Sequence, residues 1–139
     1  MKRLLALALG LLLACIPLAG CGEEKTGQKL VDQFTESVFY DPDEGELRFT
    51  VPKDTPADGV WTILCSGRLR MGDDFMSWHG FQDVSGWEPG KTYTEALAPD
   101  AVDSLTIDAT LTTSESGQYG VTIELLSDGS MMAVNRVEQ

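Results

Sequence analysis

Histidine, cysteine and basic side chains are all scarce in this chain. Of 139 residues, one is histidine and three are cysteine, and 10 Lys and Arg stand against 22 Asp and Glu. A Ser-His-Asp or Cys-His site would have to use His79, and no Gly-x-Ser-x-Gly elbow accompanies it. The sequence therefore gives no support to an enzyme, and no cofactor motif is present. The shortage of cations excludes nucleic acid as a partner, because phosphates call for basic patches. No apolar run reaches the ~20 residues of a membrane-spanning helix. Internal repeats and low-complexity tracts are absent.

What is present is concentrated at the start. Met1-Lys2-Arg3 precedes an apolar stretch from Leu4 to Leu13, and small residues follow up to Cys21. A basic start, a short apolar core and a small-residue boundary form the layout of a secretory signal. Leu18-Ala19-Gly20-Cys21 resembles the lipobox of bacterial lipoproteins. The resemblance implies a diacylglyceryl group on the thiol of Cys21 and cleavage after Gly20. Leu12-Leu13-Ala14-Cys15 has a similar form, but polar residues begin directly after Cys21, which makes Cys21 the better site. Secretory cleavage without a lipid is the alternative. The expected location is outside the cytoplasm, tied by acyl chains to the outer face of the cell membrane or, in a bacterium with two membranes, to the outer membrane. One acyl chain anchors marginally, whereas two hold firmly.

Residues 1–20 are thus read as a removed signal, 21–29 as a lipidated cysteine with a flexible tether, and 30–139 as one domain. Loss of Lys2 and Arg3 with the signal takes the formal charge from −12 to −14. Such a charge keeps a domain soluble and off anionic lipid heads. Cys65 is the one cysteine left for the domain, so the fold rests on packing, with a buried, inert thiol expected.

Period-two alternation dominates the domain. A short helical turn is predicted for 30–34 and a strand for 35–40. The turn Asp41-Pro42-Asp43-Glu44-Gly45 leads into a return strand, 46–51. The longest strand is predicted for 60–71, with Trp61, Ile63, Cys65, Leu69 and Met71 on one face and Gly67 marking a bulge or a close neighbour. The stretch 75–81 is aromatic and less regular, and 91–97 is a further strand. Leu105 to Leu111, Tyr119 to Leu125 and Met131 to Val137 predict a three-stranded meander, with Asp128-Gly129 as a two-residue turn. Seven or eight short strands with little helical periodicity predict an all-β antiparallel β-sandwich, with a small β-barrel as the alternative.

Trp87-Glu88-Pro89-Gly90-Lys91-Thr92-Tyr93 resembles the loop-to-strand corner of fibronectin type III domains, with Trp in place of the usual Leu. The resemblance spans seven residues. It implies an Ig/fibronectin-like sandwich with a corner closed by the Tyr93 hydroxyl.

Three candidate sites follow from residue chemistry. Met71, Met76 and His79 offer thioether and imidazole ligands suited to copper, with Asp73 and Asp74 close by. Asp41, Asp43, Glu44 and Glu46 offer oxygens for calcium, without the spacing of a twelve-residue loop. Asp73, Asp74, Trp78, His79 and Trp87 combine aromatic faces with carboxylates, a mixture that binds glycans or peptides. The expected function is a non-catalytic binding or assembly module of the cell envelope, with an envelope protein or glycan as partner. Metal binding or delivery is the alternative.

Overall fold

A computed structural model describes residues 22–114 and 117–138. These form one α-helix, one short 3-10 turn and eight strands. The helix is α1 (Gly22–Ser37). The strands are β1 (Phe39–Asp41), β2 (Glu46–Thr50), β3 (Val60–Met71), β4 (Asp74–His79), β5 (Thr92–Ala96), β6 (Val102–Thr113), β7 (Gly117–Leu125) and β8 (Met131–Glu138). They make two antiparallel sheets, ordered β1-β2-β5 and β4-β3-β6-β7-β8. The architecture is the expected sandwich and is not closed into a barrel. The predicted signal and the lipobox-like segment, with Cys21, lie outside the described residues.

One core joins the two sheets. Leu47 and Phe49 of β2 and Tyr93 of β5 face Trp61, Ile63 and Cys65 of β3, Ile107 and Leu111 of β6, and Val121 and Ile123 of β7. Alternation carries this arrangement, since successive side chains leave a strand on opposite faces. On β3 the alternation is clear for Trp61, Ile63 and Cys65, which are buried, whereas Met71 at the far end is 58% exposed. Phe49 is the aromatic centre, with ring centroids 5.1 Å from Phe34, 5.1 Å from Phe81 and 5.9 Å from Tyr93.

Helix α1 corrects the expectation for the chain's entry into the domain. The tether predicted to end at Lys29 is helical from Gly22, and the short helical turn is the end of that helix. Leu30, Val31 and Phe34 are buried in the common core, so docking stabilises a segment with two glycines and low intrinsic helicity. The predicted strand 35–40 shrinks accordingly to β1, because helical geometry persists to Ser37. The Ser37 hydroxyl stitches the helix end to β2 through the Thr50 N–H and C=O, at 3.0 and 3.1 Å.

The turns follow their sequence chemistry. Asp41 Oδ1 accepts from the amides of Asp43 and Glu44, and Gly45 has φ +68°. The β7–β8 connection is longer than the two-residue turn predicted. Leu126 N–H donates to Ser130 C=O at 2.8 Å, leaving a three-residue loop with Gly129 at φ +89°. A bulge at Arg68/Leu69 and the close approach of Ser104 C=O explain Gly67. No helix among the described residues is long and apolar enough to cross a membrane.

Candidate functional site

The loop between β4 and β5 shapes a cavity. β4 ends at His79, and the chain turns sharply at Phe81, the one non-glycine described residue with positive φ, at +56°. Both carboxylate oxygens of Glu95 accept from the Phe81 N–H, at 3.1 and 3.2 Å. Insertion of the Phe81 ring against Phe49 and Trp87 offsets the cost of this backbone conformation. Further on, the Tyr93 hydroxyl accepts from Glu88 N–H at 2.8 Å and donates to Gly86 C=O at 3.1 Å. This is the corner that the Pro89-Gly90 motif predicts. It sits at the start of β5, in the three-stranded sheet, and pins the loop's far end.

Between this loop and the first half of β3 lies a cavity of about 860 Å³. One wall is Gly59 with Val60 to Ser66 of β3. The other is the loop, from His79 to Gln82 and from Val84 to Trp87, and Asp108 of β6 stands at the outer side. Leu64 in the β3 wall is 64% exposed, and Val60 62%. Trp61 is fixed by its indole N–H, which donates to Thr55 Oγ1 at 2.9 Å. Burial, together with Glu95 and Asp108 nearby, pushes the Cys65 thiol up to about 12. A thiol so protonated is no nucleophile at neutral pH.

The residues singled out in the sequence divide into two groups. His79 and Trp87 line the cavity, whereas Asp73, Asp74 and Trp78 do not. Asp73 and Asp74 stand exposed at the β3–β4 hairpin, and Trp78 is half-buried beside Gly80. The copper set is not brought together. Met71 pairs with Asp74, Leu69 with Met76 and Ser66 with His79, so alternation puts His79 on the opposite face from Met71 and Met76. For the calcium set, Asp41 spends its carboxylate on its own turn. Among the described residues, no three His, Cys, Asp or Glu side chains are placed to hold a metal.

Sequence reasoning missed the β3 wall and Asp108. No local sequence signal marks them, because it is the pairing of a twelve-residue β3 with a six-residue β4 that leaves half of β3 uncovered. No family model, curated protein or solved structure matches this chain.

Proposed function

We propose that this chain is a lipid-anchored, extracytoplasmic protein of the bacterial envelope whose sandwich is a non-catalytic binding module. The lipobox-like Leu18-Ala19-Gly20-Cys21 supports the anchor. One observation carries the binding role: a preformed cavity with apolar and aromatic walls, held open by the Tyr93 corner and the Glu95–Phe81 bonds. Its volume falls within the range of small-ligand seats. The protonated Cys65 and the lone His79 favour binding over chemistry.

Two measurements test the two halves of this reading. Cys21→Ser should move the protein from the membrane fraction to the soluble one, and continued membrane attachment would refute the anchor. A photo-crosslinking residue at Gln82, on the cavity rim, should give a discrete adduct in intact cells. The same residue at Ser127, in the β7–β8 loop, should give none. Identical patterns at both positions would remove the cavity as the binding seat.

A further inference from the structure

β3 has a bare edge along the cavity. β6 covers one side of it from Val60 to Leu69, whereas β4 covers the other side only from Ser66 to Met71. Gly80 N–H donates to Cys65 C=O at 3.0 Å on the β4 side. The N–H and C=O of one strand residue point to the same side, and the side alternates along the strand. Trp61 and Ile63 therefore direct theirs to that edge too, and among the described residues no backbone group meets them there. Exposed edges are ordinarily blunted by Lys, Pro or a bulge, or covered by a loop. Val60 to Cys65 has no Lys, Pro or bulge, since the register shift falls at Arg68/Leu69, and the loop from Phe81 to Trp87 faces it across the cavity without a backbone hydrogen bond to Trp61 or Ile63.

We propose that this edge of β3 takes up an extended, basic and apolar polypeptide segment as an added strand. The inference rests on the reading of the cavity as a ligand seat and names its ligand class. Donor and acceptor pairs repeating about every 7 Å match the backbone of an extended peptide. The stretch from Val60 to Cys65 spans ~20 Å, room for a strand of similar length. Alternate side chains of the guest fall on two different surfaces. One set meets Trp61, Phe81 and Trp87 and is apolar. The other lies over exposed Leu64 toward the Asp108 carboxylate, which suits Lys or Arg, whose stem covers Leu64 while its head meets the charge. The cavity wall contains no Lys or Arg, and the chain's net charge of −12 disfavours a second copy as the occupant.

The test uses an end-blocked octapeptide alternating Lys and Val, titrated into the full chain in neutral detergent. Two comparison series are N-methylated at one or the other set of alternate amides, and a third carries Glu for Lys. Binding should fall at least tenfold when one set is methylated and stay nearly unchanged for the other, because only one set faces β3. The Glu peptide should bind at least tenfold more weakly, and Asp108→Asn should weaken the Lys peptide several-fold. Hydrogen exchange at the Trp61 and Ile63 amides should slow on binding. Equal binding of both methylated series, unprotected Trp61 and Ile63 amides, or no peptide binding at all would overturn strand addition. The cavity reading fails separately, through loss of the position-specific adduct at Gln82; an adduct there with no peptide binding overturns strand addition and leaves the cavity as a seat for other chemistry.

Discussion

Tyr40 is buried at 5% exposure, and its hydroxyl has no hydrogen-bond partner among the described residues. Burial, reinforced by Asp41 and Asp100, pushes its ionisation upward, so the group stays a neutral, unmet phenol. A buried polar atom without a partner costs the fold its desolvation energy. Tyr40→Phe is therefore expected to stabilise the domain by about 1 kcal/mol in urea denaturation. A loss of stability would reveal a partner for the hydroxyl. Cys65 makes the complementary case. Its thiol, pushed up to about 12 by burial and then by Glu95 and Asp108, should resist iodoacetamide in the native protein at about pH 8 and react once urea unfolds the chain. Fast native-state labelling would contradict the buried assignment.

At the scale of elements, the helix and one loop depend on single contacts. A Cβ on Gly27 would run into the Tyr119 ring, so α1 can lie against β7 only with glycine there. Gly27→Ala gains helix propensity of up to ~1 kcal/mol but forces the helix off the sheet. The expected result is a net destabilisation of about 1–2 kcal/mol, measured by denaturant midpoint. The loop 52–59 is tied to the end of β6 by Asp58, which accepts from the Ser114 amide at 3.1 Å and from its hydroxyl. These bonds hold the Asp58 carboxyl below its ordinary range. A carboxylate depressed on folding adds stability above its unfolded pKa and loses it as pH falls toward the folded value. Thus Asp58→Ala should lower the Tm at about pH 7, and the gap from the parent should narrow below about pH 4. A gap independent of pH would show that the carboxylate charge plays no part.

The same scale explains what could be read in advance. Strands β2, β3, β6 and β7 were legible because each shows two faces of opposite polarity, and the Tyr93 corner because Pro89-Gly90 fixes the local backbone. Helix α1 was not, since its apolar stripe is confined to Leu30, Val31 and Phe34 and its helicity comes from docking. Only a small part of the candidate site was visible, in His79 and Trp87. The β3 edge was hidden because a bare edge is a property of pairing between distant segments, and no local pattern encodes which half of β3 is left without β4.

For the whole molecule the dominant physical fact is charge. The 22 acidic residues outnumber the 10 basic ones, and the ion pairs among the described residues, Arg48–Glu46, Arg68–Asp103 and Arg136–Asp32, are all at the surface. Exposed pairs of this kind contribute about 0–1 kcal/mol each, too little to offset the mutual repulsion of the remaining carboxylates. That repulsion is long-range and therefore screened by salt, with a Debye length that shrinks from ~30 Å at 0.01 M to ~3 Å at 1 M. Raising NaCl from about 10 mM to about 500 mM should accordingly raise the Tm of the full chain at neutral pH, with most of the gain complete by about 150 mM. The two sheets hold together through apolar burial, which salt does not screen, so the core sets the baseline and the charge sets the slope. A Tm that falls with NaCl would mean that the three ion pairs outweigh the repulsion. That would also weaken the case for a cationic guest, because the same surplus of carboxylate is what draws a basic strand toward β3.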